Sequence, residues 1–147
     1  MSRMSCVLRA SGSNFDVDEF LKTSTFDVLT LFRRGEVQSP TSSVTRKSAY
    51  SGMNVSVSAR EFSELRGQID DAVEFCSENG RELKRLREFP GLEKMDIDFP
   101  IEDRDVVFQR DAFPHQLLLL LGELGIGLII SRLPMQSMGE DQTAIEQ

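Results

Sequence analysis

Apolar and polar residues alternate over residues 5–11, with Cys6, Leu8 and Ala10 set against Arg9 and Ser11, the two-residue period of a half-buried strand. Gly12-Ser-Asn14 then turns the chain. Asp16-Val-Asp-Glu19 has capping-box spacing, and Phe15 and Phe20 stand where a hydrophobic staple needs them, so a short helix is predicted from 17 to about 23. Residues 27–33 read as a second strand that ends at the turn Arg34-Gly35. Residues 36–48 are rich in Ser and Thr, contain Pro40 and show no period, which marks a mobile loop.

Met53, Val55 and Val57 alternate with Asn54, Ser56 and Ser58 and predict a strand over 53–58. Ser58-Ala-Arg-Glu61 repeats the capping-box spacing and is expected to open the main helix. Along that helix Phe62, Leu65, Ile69, Ala72, Val73 and Cys76 follow a 3.6-residue period. Asn79-Gly80 offers a cap, and Leu83, Leu86 and Phe89 continue helically until Pro90-Gly91. Met95, Ile97 and Phe99 against Asp96 and Asp98 predict a strand ending at Pro100. Residues 105–110 read as its neighbour across the acidic turn Ile101-Glu-Asp-Arg104. Pro114 starts a short apolar helix through Leu117–Leu121, capped by Gly125. Ile126–Leu133 is apolar on both faces, the pattern of a central strand.

The predicted order is therefore β-α-β-β-α-β-β-α-β. This is an α+β domain with a mixed, mostly antiparallel sheet and helices packed on one face, as in ferredoxin-like folds. One domain is expected over residues 1–134, with a disordered polar tail over 135–147. In three strands the second face is polar, through Arg9 and Ser11, Asn54 and Ser56, and Asp96 and Asp98. A sheet with one face turned to water gives that pattern.

Charge changes the picture. Residues 1–92 carry 13 basic and 13 acidic side chains, whereas residues 93–147 carry 4 and 11, so the whole net charge of −7 lies in the last third. Such a region repels a phosphate backbone, which excludes nucleic acid as the main ligand, and attracts a basic protein. Ten Phe with no Trp and a single Tyr suit a core rather than a base-stacking platform. No apolar leader follows Met1, and Leu117–Ile130 is interrupted by Glu123 and three glycines, so neither secretion nor a membrane span is expected and the cytoplasm is.

Candidate chemistry is sparse, and an enzyme is not expected. Asp96, Asp98, Glu102, Asp103 and Asp105 form the candidate partner-binding surface. Asp96-x-Asp98 could hold a hard cation, but the glycine and terminal glutamate of a calcium loop are missing, so no metal is expected. His115 is the only histidine and names no companion for acid–base work. Cys6 and Cys76 sit at core positions, too few and too far apart for zinc or a disulfide framework. Gly122, Gly125 and Gly127 lie between a helix and a strand, the reverse of a phosphate-cradling loop, so no nucleotide cofactor is implied. Asn54-Val-Ser56 matches a glycosylation sequon but falls within a predicted strand. The basic residues Arg81, Lys84, Arg85 and Arg87 are matched by Glu78, Glu82 and Glu88 on the same helix. The alternative is a small-molecule binder or enzyme with a cleft between the sheet and the 36–48 loop, where Arg9, Arg46, His115 and a carboxylate would converge.

Val7-Leu-Arg-Ala-Ser-Gly12 with Phe15-Asp-Val-Asp-Glu-Phe20, Arg34-Gly35-Glu36, Met53-Asn-Val-Ser-Val-Ser58, Asp96-Ile-Asp-Phe-Pro100, and Phe113-Pro114 leading to Leu121-Gly-Glu-Leu-Gly-Ile-Gly-Leu-Ile-Ile-Ser131 form a linear pattern. It resembles a bacterial family of small α+β proteins of unknown function, some of whose members look like immunity proteins of toxin–immunity loci. The resemblance implies the α+β fold and, through the immunity-like members, a toxin as protein partner; its elements are strands, caps and turns, and it carries no functional residues over to this chain.

Overall fold

The computed structural model describes residues 4–37 and 47–134. Nine elements follow in order: β1 (Val7–Gly12), α1 (Val17–Leu21), β2 (Val28–Phe32), β3 (Ser51–Ser56), α2 (Leu65–Glu78), α3 (Gly80–Arg87), β4 (Lys94–Glu102), α4 (His115–Leu124) and β5 (Gly127–Leu133). The fold is α+β. Its five strands lie in the order β2-β3-β1-β4-β5, antiparallel except for the parallel pair β4–β5. β1 and β2 run parallel with β3 between them, a split β-α-β unit, while β4, α4 and β5 form a contiguous one.

Pattern and packing agree over most of the chain. Leu8, Ala10, Met53, Val55, Met95, Ile97 and Phe99 face the helices and are fully or almost fully buried against Phe20, Ile69, Ala72, Cys76, Leu83, Leu86 and Leu117. Asp16 caps α1 by accepting from the Glu19 amide at 3.1 Å, and the Phe15 and Phe20 rings meet at 6.4 Å, as the staple requires. Gly125 closes α4 in the left-handed conformation (φ 72°), which places the Ile126 amide on the Leu121 carbonyl.

The structure corrects four expectations. The capping box at Ser58 does not open the main helix, which starts at Leu65. The Ser58 hydroxyl instead accepts from the Arg60 amide and donates to Asp71, closing a turn ahead of the helix. β4 runs through Pro100 to Glu102. Pro100 is tolerated because β1 has already ended at Val7, opposite Asp98; the side that lacks an N–H faces no strand, and the Pro100 carbonyl accepts from the Gln68 amide at 3.0 Å. Residues 105–110 form no strand, and they cannot be the neighbour of β4 that the sequence suggests, because β4 already has β1 on one side and β5 on the other. The described residues therefore hold one strand fewer than the expected ferredoxin-like order. Finally, among the described residues β5 is an edge strand and not a central one. The 36–48 loop lies mostly outside the described residues; its base is closed by Ser48 donating to the Glu36 carbonyl. The tail expected over 135–147 lies outside them entirely.

Both thiols are buried and free. Burial pushes Cys76 up to about 11, and burial, reinforced by the nearby Asp98 charge, holds Cys6 far above the ordinary thiol range. In the folded protein neither thiol should react with an aromatic disulfide reagent at about pH 8, whereas both should react at once on unfolding in denaturant. A thiol titration with and without urea checks this.

Candidate functional site

The site begins with strand parity. Arg9 pairs with Asn54 on one side and Asp96 on the other, so the three side chains share the face of the sheet turned away from the helices. Asp98 lies diagonally beyond them and is 6% exposed. A carboxylate this buried needs partners. Arg9 Nε donates to one oxygen at 3.2 Å, with Nη2 in ion-pair contact with the same oxygen at 3.1 Å, and the Ser131 hydroxyl donates to the other at 2.8 Å. With its amide turned to satisfy both neighbours, Asn54 accepts from Arg9 Nη1 and donates to the Met53 carbonyl, each at 3.2 Å. Asp96 lies over Gly127, where a Cβ would collide with its carboxylate. Four strands thus build a polar platform in which Arg9 and Asp98 compensate each other's charge.

The acidic residues singled out from the sequence divide between two places. Asp96 and Asp98 belong to this platform. Glu102, Asp103 and Asp105 lie where β4 leaves the sheet, at the start of the irregular segment 103–114. Here Asp103 hydrogen-bonds its amide to the Leu133 carbonyl and faces Arg132 at 3.7 Å. The Gln109 amide group bridges the Glu102 carbonyl (3.0 Å) and Asp111 (2.8 Å), its oxygen accepts from the Arg104 amide, and Arg104 reaches Asp111 at 3.2 Å. Burial alone would raise the Asp111 carboxyl, but the Gln109 and Arg104 hydrogen bonds outweigh it and hold the group below its ordinary value.

This bracing holds an apolar tip outside the protein. Val106, Val107 and Phe108 are 56%, 108% and 73% exposed, with Arg110 stacked beside the Phe108 ring at 5.8 Å. Sequence reading took these residues for a strand because β-branched and aromatic side chains are what strands use. It also missed Arg9 and Ser131 as partners of Asp98, since they lie 89 and 33 residues away along the chain.

His115 is the exposed first residue of α4, on the helical layer, while Arg9 stands on the opposite face of the sheet, so these two do not converge; Arg46 lies outside the described residues. Among the described residues no group of three or more His, Cys, Asp or Glu is placed to hold a metal ion. A shallow depression beside α1 and β2 is lined by Asp16, Asp18, Arg33 and Arg34, and its Arg33 is already paired with Asp18 at 2.7 Å. No helix among the described residues is long and apolar enough to cross a membrane. No protein-family model, curated protein or solved structure matches the chain.

Proposed function

We propose that the chain is a non-enzymatic cytoplasmic protein-binding module that engages a basic protein through its acidic last third, in the manner of an immunity protein neutralising a toxin. One observation carries the reading: three consecutive apolar side chains, Val106 to Phe108, stand in solvent on a braced loop directly after Glu102, Asp103 and Asp105. Exposing them has no benefit for folding, because the same side chains would be more stable buried. Fixing them in advance lowers the ordering cost of an encounter, and an aromatic anchor within a charged rim is the usual anatomy of a binding hot spot. The carboxylates speed the approach of a cationic partner and disfavour an acidic one.

The test is affinity capture from source-cell lysate at low and moderate salt, with the intact chain and with Phe108→Ser and Asp103→Lys/Asp105→Lys variants. The intact chain is expected to retain a basic protein. Phe108→Ser should weaken that complex by about 2 kcal/mol, roughly thirtyfold, and the double charge reversal should slow association and abolish its salt dependence. Because these residues are exposed, thermal stability should move by no more than about 0.5 kcal/mol. Retention of nothing, or equal retention by all three proteins, rejects the reading.

A further inference from the structure

The sequence of β5 does not suit its position. Gly127-Leu-Ile-Ile-Ser131 is apolar on both faces, as in a strand with neighbours on either side, yet β5 is the last strand of the sheet. Among the described residues nothing pairs with its outer side. The opposite edge, β2, is interrupted by a register shift between Val28 and Thr30, which discourages a further strand; β5 has neither a bulge nor a proline, and no charge before Arg132. Leu128 and Ile130 are 37% and 45% exposed along it. Leu118 and Leu119 on α4, the helix that connects β4 to β5, are exposed as well.

Backbone direction shows which groups are free. The Leu133 carbonyl accepts from Asp103 on the β4 side. Successive residues of a strand turn their N–H and C=O groups to opposite sides, so Leu128, Ile130 and Arg132 offer theirs to the open edge.

We propose that this edge pairs with a second copy of the chain, β5 against β5 antiparallel about a twofold axis at Ile130, giving a continuous ten-stranded sheet. Such pairing sets Ile130 against Ile130 and Leu128 against Arg132 of the other copy, and forms about six backbone hydrogen bonds. Charge favours it too. Arg132 stands near the end of β5 and Glu123 near its beginning, at the close of α4. An antiparallel twofold therefore carries the end of β5 that holds Arg132, which already faces Asp103 at 3.7 Å, to the end of the interface where the other copy's α4 ends at Glu123-Leu124. Residues 135–147 are the competing occupant, but Pro134 precedes them and their Gly, Gln and acidic content disfavours a strand. The proposal is independent of the basic partner and of the loop that would bind it.

Sedimentation velocity on the full chain over a concentration series is expected to give a species of twice the 16.6 kDa chain mass. Ile130→Lys sets two ammonium groups opposite each other and should weaken self-association at least about tenfold. Ile130→Pro removes only an N–H that faces the open edge, so it should break the dimer while leaving the pairing with β4 intact. Ile130→Cys should cross-link to its own copy on oxidation, since Cα atoms of a hydrogen-bonded pair lie about 5.5 Å apart. The amides of Leu128, Ile130 and Arg132 should gain exchange protection as concentration rises. A chain that stays monomeric at about millimolar concentration, where even a weak dimer would form, overturns the proposal. So does a dimer that survives both Ile130→Lys and Ile130→Pro, or amide protection independent of concentration, which would mean that the chain covers its own edge.

Discussion

Phe20→Ala should destabilise the protein by about 4 kcal/mol and lower its melting temperature by roughly 10–15 °C, with the loss centred on α1. A helix of five residues does not persist by itself, so α1 exists because its side chains are anchored in the core. Phe20 is fully buried and is the centre of an aromatic cluster, with Phe89 edge-on at 5.3 Å, Phe15 at 6.4 Å and Phe26 at 6.2 Å. The Arg85 guanidinium lies over its ring at 3.9 Å and also donates to the Phe20 carbonyl at 3.0 Å, which satisfies one of the backbone acceptors at the end of the helix. Arg85 is in turn fixed by two hydrogen bonds to Glu82, at 3.0 and 2.9 Å. Truncation at Phe20 therefore opens a cavity and leaves the cation without its ring. Phe26→Ala, at a partly buried position on the margin of the cluster, should cost less than half as much. Paired denaturant titrations of the two variants provide the measurement. Equal losses would mean that the cluster is not organised around Phe20.

How much of this could be read from the sequence depended on how far apart the cooperating residues lie. α1 was legible because its cap and staple are local: Asp16 with Glu19, Phe15 with Phe20. The polar face was legible because parity alone places Arg9, Asn54 and Asp96 together. The same local signal misled at Ser58, where a hydroxyl able to cap a helix closes a turn with Arg60 and holds Asp71 instead. The pairing of Arg9 and Ser131 with Asp98 spans three strands and leaves no trace in spacing. Val106-Val-Phe108 has a strand's composition, and only the three-dimensional order of the sheet shows that both sides of β4, its expected partner, are taken. In β5 the reverse holds. Its composition describes a central strand, its place in the sheet among the described residues makes it an edge, and that mismatch is the best reason to look for a neighbour.

Gly91→Ala is expected to be the costliest single substitution outside the aromatic core, at about 2–5 kcal/mol. Two independent penalties meet there. Gly91 has φ +87°, where an L side chain is strained, and a Cβ built on it would overlap the Asn14 carbonyl. The overlap is with backbone, which cannot rotate away. Gly12 repeats the arrangement from the other side, because a Cβ there would overlap the Gly91 carbonyl. At this point the end of β1, the turn into α1 and the link from α3 to β4 touch backbone to backbone, and the Glu93 amide donates to the Ser11 carbonyl at 2.9 Å. Gly12→Ala should thus be harmful without any strain in φ, by about 1–3 kcal/mol. The two substitutions crowd different backbone atoms of one junction, the Asn14 carbonyl and the Gly91 carbonyl, so a shift that relieves one alters the other; the double variant should depart from the sum of the singles, and a double-mutant cycle by urea denaturation measures the coupling. Gly35→Ala is the control: its φ is +91° but a Cβ there meets nothing within 4 Å, so it isolates the strain alone, about 1–2 kcal/mol. If Gly91→Ala costs no more than Gly35→Ala, the close approach of the two backbones contributes nothing.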